Sequence, residues 1–431
     1  MSLLVKLPEE IHDEIFLKLP GMSILASRCV CKLFYDLLSK PSFIKNHVNR
    51  TIQSKINPKL LCFQYPKEDN PPIICSIPID YAPISSSTSS LSPLLCEFNE
   101  SVLLSSKSNN NHAHSFLGSC NGLVCLKIDR FYTCDIEKED HVHYSILNPL
   151  TGEYKDFRTS PQLKHKHYDP FTENYGFGYD SNLDSYKLVM ISDFEKSGCF
   201  NIDVYTLKSD SWRRIQVTVN YSFRCDDGES SRFLIGYKGS YGVLFNGSIH
   251  WLGFLASFPT QGKSAEVIVC FDISSETMVH MPLPENIVPP IDFQGEMYMN
   301  VGVWGHCICI ACVWGSVRID VWVMQEYGVK ESWMKKYTTT RIPAVLPGFL
   351  IPYWQTLWCF HGEEILVNSC GEDLYLYDPT NERVRSVVVP DVTRTSSQEI
   401  HAETIVSLNS GTYLEKQITH HLSYNEYWVI K

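Results

Sequence analysis

The sequence predicts a multidomain α+β protein of two unequal parts: a small group of short helices at the N-terminus, followed by a large, mostly-β, propeller-like domain. Two observations carry this prediction. Apolar residues at helical spacing fill residues 7–43, and aromatic-rich strand segments recur about every 50–67 residues from Phe116 onward. With 431 residues, the chain is too long for one average domain and long enough to bury a large core.

The charge balance narrows the classes of partner. The chain has 48 acidic against 37 basic residues, a formal net charge of -11, and its Lys and Arg residues form no cluster. A nucleic acid or an anionic membrane is therefore not expected as a partner, since both attract basic surfaces. The negative charge is equally compatible with a role in solubility alone.

The compartment is predicted to be the cytoplasm, with the nucleus as the other choice. The first residues, MSLLVK, lack the apolar run and cleavage site of a signal peptide, so the 16 cysteines are expected to be reduced thiols. The uncharged stretch 299–317 is interrupted by glycines and rich in strand formers. We interpret it as two buried strands, because it falls short of the roughly 20 residues of a membrane-spanning helix.

The N-terminal segment 7–43 is predicted to form three short helices. Pro8 suits the first helical position, and Ser23 is predicted to cap the second helix. Pro20 and Pro41 are predicted to end the first and third helices. The first helix places on one face Ile11, Ile15 and Leu19. The third carries Val30, Leu33, Phe34, Leu37 and Leu38. So small a unit cannot be stable alone and must pack on the rest of the chain or on a partner.

Five later segments share one layout, with an apolar strand, a polar turn and a second strand that opens on a bulky residue. We align them on Asn148, Tyr205, Asp272, Trp322 and Asp378. Earlier strands fill each interval, which gives four strands per period, as in a β-propeller blade. About six blades are expected, and residues 399–408 are predicted to close the ring with strands that precede Phe116. Because the spacing is unequal, a wide β-sandwich remains an alternative.

No catalytic residue, metal site or cofactor is predicted. The sequence GKS at 262–264 lacks the first glycine of a phosphate-binding loop and precedes a strand. On a strand, Cys307 and Cys309 would face one side and Cys312 the other, so we expect buried thiols and not zinc ligands. Three His-x-His pairs are expected to be solvated; they are His112/His114, His141/His143 and His165/His167. The lack of any nucleophile–base pattern favours a binding protein over an enzyme, with an undetected propeller enzyme as the rival.

The helical segment LPEEIHDEIFLKLP…RCVCKLFYDLL resembles the F-box, the motif that docks substrate receptors onto the Skp-type adaptor of cullin-RING ubiquitin ligases. The resemblance implies that a set of residues makes or supports the adaptor-binding surface. They are Leu7, Pro8, Ile11, Ile15, Leu19, Pro20, Leu25, Val30, Cys31, Lys32 and Phe34. Phe34 replaces the tryptophan common in the family. A helical cap on the propeller is the alternative interpretation.

Later segments resemble the F-box-associated, kelch-like domain of plant F-box proteins, among them GSCNGLVCL, NPLTGEYKDF and VYTLKSDSWRRI. The segments CKLFYDLLSKPSFIKNHVNRT and MQEYGVKESWMKKY look most like the S-locus F-box proteins of pollen. The resemblance implies a non-catalytic receptor of an SCF-type (Skp–cullin–F-box) E3 ubiquitin ligase, joined through the adaptor to cullin and RING subunits. It would recognise non-self S-RNases for ubiquitination during gametophytic self-incompatibility.

The resemblance divides the chain into an F-box (1–46), a linker with edge strands (47–115) and a substrate-recognition domain (116–431). Candidate target-binding loops are 158–173, 222–232 and 284–297. Within the second loop, the acidic residues Asp226, Asp227 and Glu229 are predicted to meet a basic target such as an S-RNase. The alternatives are a receptor for another target, such as a defence or hormone-response regulator, and an adaptor-bound scaffold without a target for degradation.

Overall fold

The fold is given by a computed structural model, which describes most of the helical part and the strands of the sheets. The described residues are 8–54, 59–64, 73–78, 94–95, 100–103, 112–130, 142–161, 173–192, 199–218, 221–222, 241–255, 265–291, 293, 297–314, 317–339, 355–359, 365–369, 373–378, 380–388 and 398–408.

The described part of the N-terminal segment forms four helices, one more than predicted. Their bounds are α1 Glu9–Phe16, α2 Gly21–Arg28, α3 Lys32–Leu38 and α4 Pro41–Ser54. Pro41 begins α4 where we expected a helix end, because proline is well suited to a first helical turn. The prediction that Ser23 caps α2 is wrong: α2 begins at Gly21 after Pro20 and has no side-chain cap. Pro8 immediately precedes α1, and its carbonyl accepts the backbone N–H of His12.

The described strands form six sheets, which we number in the order of the ring. Sheet I has the order β26 (Gln398–His401), β1 (Lys59–Gln64), β2 (Ile73–Pro78), β4 (Glu100–Leu103). Sheet II comprises β5 (His112–Cys120), β6 (Leu123–Arg130), β7 (Val142–Leu147) and β8 (Tyr154–Arg158). Sheet III comprises β9 (Glu173–Asp180), β10 (Ser185–Ser192), β11 (Cys199–Thr206) and β12 (Ser211–Thr218).

The other three sheets follow the same antiparallel pattern, with one parallel addition. Sheet IV comprises β13 (Tyr221–Ser222), β14 (Val243–Phe245), β15 (Ser248–Leu255), β16 (Ala265–Asp272) and β17 (Met278–Pro282). Sheet V comprises β18 (Met297–Trp304), β19 (Cys307–Trp314), β20 (Arg318–Met324) and β21 (Trp333–Thr338). Sheet VI comprises β22 (Gln355–Cys359), β23 (Ile365–Ser369), β24 (Asp373–Asp378), β25 (Arg383–Val388) and β3 (Leu94–Leu95), which pairs in parallel with β25.

The sheets are arranged as blades, because the first strands of successive sheets contact each other. Strand β26 contacts β5, β5 contacts β9, β9 contacts β14, β14 contacts β18, and β18 contacts β22. The predicted ring closure is confirmed: β26 pairs antiparallel with β1, so that Leu60 lies opposite Ile400. A strand near the end of the chain thus completes a sheet begun near its start. This joins the ends of the ring by hydrogen bonds of the sheet itself.

The predicted repeat lies at the turn after the third strand of each blade. In three blades an Asx turn stabilises it, with the side-chain oxygen accepting the N–H two residues on, at Asn148, Asp272 and Asp378. In sheet III, the residue that begins the turn after the third strand is Thr206, which pairs with Ser211, and not Tyr205 as predicted. In sheet V, the equivalent residue is Gln325 and not Trp322 as predicted. The Gln325 N–H donates to the Ser332 carbonyl across the turn.

Adjacent blades pack through apolar faces and through buried ionic contacts. Between sheets II and III, the Lys127 ammonium lies 3.6 Å from the Glu173 carboxylate, and both side chains are buried. Between sheets III and IV, the Lys187 ammonium lies 2.7 Å from the Asp180 carboxylate and 2.8 Å from that of Glu276. Burial by itself would raise the pKa of Asp180, but the Lys187 ammonium and two backbone N–H groups hold it below the ordinary value. Lys187 and Asp180 both belong to sheet III and are essentially inaccessible to water. The link to sheet IV is made by Glu276, which accepts from the Lys187 ammonium, and by the Ser274 hydroxyl, which donates to the Asp180 carboxylate at 3.0 Å.

The structure confirms the predicted faces of the strand cysteines but contradicts the prediction that His114 is solvated. Cys309 packs in the core beside Val313 and Val321, whereas Cys312 packs in the neighbouring core with Ile308 and Ile310, so the predicted opposite faces are confirmed. Within the stretch 299–317, residues 299–304 belong to β18 and residues 307–314 form β19, so the two predicted strands are present. His114, expected to be solvated, is buried against Phe63, with 5.5 Å between the ring centroids.

In the described part of the chain, no helix is long and apolar enough to cross a membrane.

A buried histidine in the closing strand predicts a pH dependence. Burial, and secondarily the charge of the cross-strand neighbour Lys59, lowers the pKa of His401 to about 3. Lys59 is itself ion-paired with Glu403. The unfolded state therefore takes up a proton near pH 6.5 while the folded state does not, so stability is lost as the pH falls below that value.

We expect His401 to account for a loss of about 2 kcal/mol in the free energy of unfolding between pH 7 and pH 5. Urea unfolding at the two pH values measures it, and His401→Gln should reduce the loss by about that amount. An equal loss in the variant and the wild type would contradict a neutral, buried His401.

Candidate functional site

The four helices enclose a small aromatic core of their own. The Phe16 and Phe34 rings meet edge to face at 4.9 Å between centroids, and the His12 ring lies edge-on to Phe34 at 5.5 Å. All three side chains are buried. Edge-to-face contacts of this kind add to the stabilisation from apolar burial. Phe34 therefore supports the helices from within and does not contribute exposed surface.

Polar contacts tie the helices to one another. A ring nitrogen of His47 in α4 lies 2.9 Å from the Leu19 carbonyl, and the Arg28 guanidinium donates to the Leu38 carbonyl at 2.8 Å. Burial lowers the pKa of His47, which keeps the ring neutral at physiological pH. An exposed ion pair between Lys40 and Glu9 connects the end of α3 to the start of α1.

Six large apolar side chains on or between helices α1, α2 and α3 face outward, and Ile52 of α4 is exposed as well. The six are Ile11 (41% exposed), Ile15 (38%), Met22 (46%), Val30 (69%), Leu33 (45%) and Tyr35 (56%). Monomeric proteins rarely leave so many large apolar residues exposed within one short segment, and such clusters mark protein-binding surfaces. We call this set the apolar helix surface.

The predicted adaptor-binding residues that the structure describes fall into three groups. The exposed ones are Pro8, Ile11, Ile15, Pro20, Val30 and Lys32. The partly buried ones are Leu19, Leu25 and Cys31, which pack against the core. Phe34 is buried, and Leu7 lies outside the described residues.

Sequence reasoning missed three members of the apolar helix surface. Met22 was not considered, Tyr35 was not counted as apolar surface, and Leu33 was placed with the buried residues of its helix. The signal that would have found α4 is also plain, since Phe43, Ile44, His47 and Val48 repeat at helical spacing and all are buried. Had α4 been recognised, Phe34 and Leu38 would have been assigned to the inward face of α3 and Leu33 to its outward face.

The inward face of the helices packs on the propeller. Phe16, Ile24 and Leu38 belong to one apolar core with Leu150 of sheet II and Ile405 near the end of the described chain. At Gly21 the fit is so close that a Cβ would lie 2.6 Å from a methyl group of Leu150. The propeller thus completes the core of the helices on this side, and the apolar helix surface is left for another molecule.

The helices lie at one edge of the sheets, which leaves the other edge free of them. Leu150 lies in the β7–β8 turn, on the same edge as the β5–β6 turn, because strands alternate in direction. The β17–β18 and β19–β20 connections leave from the opposite edge. The candidate loop 284–297 is therefore on the side away from the helices.

The described part of this loop is well anchored yet exposes apolar side chains. Phe293 packs edge-on against Trp314 at 5.5 Å, and the Arg318 guanidinium donates to the Val288 carbonyl at 2.5 Å. Val288 is 61% exposed and Ile291 93% exposed. The acidic candidates Asp226, Asp227 and Glu229 lie outside the described residues, as do most of the loops 158–173 and 222–232 and the sequence GKS at 262–264.

Comparison with known proteins agrees with this two-part architecture. The F-box associated beta propeller domain family matches residues 73–389, and the F-box domain family matches residues 4–46. The chain belongs to the F-box proteins that carry an F-box-associated β-propeller domain. An F-box implies a Skp-type adaptor as partner, and the propeller a protein substrate. Proteins of this family serve as substrate adaptors and are generally non-catalytic.

Similar full-length relatives come from Arabidopsis thaliana. F-box protein CPR1 is 24% identical, covering 95% of this chain and 92% of the relative. F-box/kelch-repeat protein At3g23880 is 25% identical, covering 94% and 96%. Among solved structures, a lectin from Aleuria aurantia aligns with 78% of this chain and 97% of its own, at a TM-score of 0.38 and 9% identity. That likeness contributes nothing to the functional argument.

Proposed function

We propose that this protein is the substrate-recognition subunit of an SCF-type E3 ubiquitin ligase. The observation that carries the proposal is the apolar helix surface, six exposed side chains on or between helices whose inward face already packs on the propeller. The Skp-type adaptor would cover this surface and link the chain to cullin and RING subunits. The chain makes and breaks no bond itself; it holds the target close to the ubiquitin-charged E2 and contributes proximity and orientation.

For the target we propose non-self S-RNases, with the protein acting in the cytoplasm of pollen. The support is the resemblance of two segments to S-locus F-box proteins, together with the net charge of -11, which suits a basic partner. The second candidate is a receptor for another target, such as a defence or hormone-response regulator. The plant F-box relatives support both candidates alike.

Affinity capture tests the adaptor role. We expect the full chain, co-expressed with a Skp-type adaptor, to be captured by the tagged adaptor, because the adaptor removes the apolar helix surface from water. Leu7→Ala/Pro8→Ala should weaken the capture. A wild-type chain that is folded but not captured would overturn the proposal, and the helices would then serve only as a cap on the propeller.

A panel of purified S-RNases tests the target. The receptor–adaptor complex is expected to bind some members of the panel and not others. The variant Asp226→Asn/Asp227→Asn/Glu229→Gln should weaken that binding at low salt. Binding of the adaptor together with failure to bind any S-RNase would leave the receptor role in place and favour the second candidate.

A further inference from the structure

A short segment after the closing strand lies between the helices and the propeller. Residues 403–408, here called the C-terminal strap, begin two residues after His401, the last residue of β26, and have no regular secondary structure. We infer that this strap fixes the orientation of the F-box on the propeller, and that Asn148 and Glu153 are positioning residues that hold the strap in place. This inference rests on the proposed receptor function for its consequence, but its geometry can be tested without it.

Asn148 holds the first half of the strap. Its side-chain amide donates to the Thr404 carbonyl at 3.0 Å and to the Val406 carbonyl at 2.6 Å. Its side-chain oxygen accepts the Leu150 N–H at 2.8 Å, which forms the β7–β8 turn. Asn148 is fully buried, so these bonds do not compete with water. One side chain therefore connects the strap to the turn that bears Leu150, the residue in contact with Gly21.

Glu153 holds the second half of the strap from the same turn. Its carboxylate accepts the Ser407 hydroxyl at 2.9 Å and the Leu408 N–H at 2.6 Å. At the other end, the Thr404 hydroxyl donates to the Asn121 carbonyl at 2.6 Å. Hydrogen bonds to a charged acceptor are stronger than neutral ones. Both turns at this edge of sheet II thus bind the strap.

The other side of the strap faces the helices. A Cβ at Gly21 would lie 3.6 Å from a methyl group of Ile405 and 3.9 Å from the Glu403 carbonyl, so α2 touches the strap directly. Ile405, Val406 and Leu408 are buried in the same apolar core as Phe16 and Ile24. The strap is therefore an intermediate layer, bonded to sheet II and packed under the helices.

The consequence concerns the direction in which a bound target points. The adaptor would bind the outward side of the helices, and a target the opposite edge of the propeller. If the strap is displaced, the helices keep their own aromatic core and their adaptor surface but are no longer held in one orientation on the propeller. Displacing the strap should therefore change the orientation of the helices on the propeller without changing their affinity for the adaptor. This pattern distinguishes a positioning role of the strap from a general contribution to folding.

Two glycines provide a matched pair of variants. Gly122 and Gly247 each follow an asparagine in the turn between two strands, with φ of +89° and +76°. A Cβ at Gly122 would lie 1.9 Å from the Thr404 hydroxyl oxygen, whereas one at Gly247 meets nothing within 4 Å. Both alanine variants share the cost of a left-handed backbone, and only Gly122→Ala displaces the strap. Asn148→Asp is a further variant, because it keeps the turn acceptor but loses the amide donor.

The experiment is a distance measurement between α4 and the propeller in the full chain. Spin labels on unnatural amino acids at Gln53 and Val279, both exposed, report the distribution with and without a purified Skp-type adaptor. We expect Gly122→Ala and Asn148→Asp to broaden the distribution at least about twofold, and Gly247→Ala to leave it narrow. Adaptor affinity should stay within about threefold of wild type in all three, since the strap is not part of the adaptor surface.

Distributions for Gly122→Ala and Asn148→Asp as narrow as wild type would overturn the inference. Equal broadening in Gly247→Ala would also overturn it, by assigning the effect to backbone strain. If either variant fails to fold, Thr404→Val, which removes only the bond to Asn121, takes its place under the same criteria. Failure of the wild type to bind the adaptor would contradict the proposed function and leave the distance result on the free chain as the test of the strap.

Discussion

Replacing Lys187 by methionine is expected to lower the free energy of unfolding by about 3–5 kcal/mol. The Lys187 ammonium contacts two carboxylates, Asp180 and Glu276, and donates to the Ile273 carbonyl at 2.9 Å. Methionine fills a similar volume but leaves the Asp180 charge buried without its cation. Removing one partner of a buried pair is costly for this reason, even where the intact pair itself adds little.

The measurement is urea unfolding of the purified chain at neutral pH, with Lys155→Met as the control. Lys155 forms a comparable 2.7 Å ion pair with Asp210, whose side chain is 50% exposed. Water screens that pair, so its loss should cost no more than about 1 kcal/mol. Equal losses for the two variants would contradict the view that the ionic contact between sheets III and IV holds these blades together.

The double variant Val30→Asp/Leu33→Asp is expected to lower affinity for a Skp-type adaptor at least about 100-fold. Both side chains are largely exposed in the free chain, at 69% and 45%, so the substitutions should cost little folding stability. In a complex they would place two charges in an apolar contact without partners, and such desolvation is strongly unfavourable.

The matched control is Val279→Asp/Val288→Asp on the propeller. These valines are exposed to a similar degree, 54% and 61%, but lie outside the helices. Biolayer interferometry against immobilised adaptor measures both variants, and the control should bind within about twofold of wild type. A loss of affinity shared by the control would show that added charge, and not the apolar helix surface, determines binding.

Local patterns were sufficient to predict the propeller-like domain. Strand pairs such as β11 and β12 alternate in sequence and bring a strand, a polar turn and a strand together within a few residues. The prediction that residues 399–408 close the ring followed from the need of the last sheet for another strand, and β26 does pair with β1. Trp322 was assigned to the wrong place in the repeat because the turn after β20 is longer than the others, which sequence spacing alone does not reveal.

The helical part was predicted less well, for a physical reason. Helical spacing identifies an apolar face but does not say whether the propeller or a partner covers it. Phe34 and Leu33 lie one residue apart on α3, yet the first is buried and the second exposed, because α1 supplies Phe16 and His12 on one side only. Pro41 fits a helix start as well as a helix end, so α4 could be recognised only from the buried residues that follow it.

The strap could not have been found from sequence. Asn148 and Val406 are separated by more than half the chain, and their contact depends on ring closure. Such long-range contacts have no local signature.

We propose that the exposed side of the F-box helices binds a Skp-type adaptor while the opposite side of the helices packs on the propeller. Isothermal titration calorimetry of the purified full chain with a purified Skp-type adaptor measures this binding. We expect one-to-one binding with a Kd below about 1 µM and a negative heat-capacity change from apolar burial. The absence of binding by a chain that unfolds cooperatively in the same buffer would contradict the proposal.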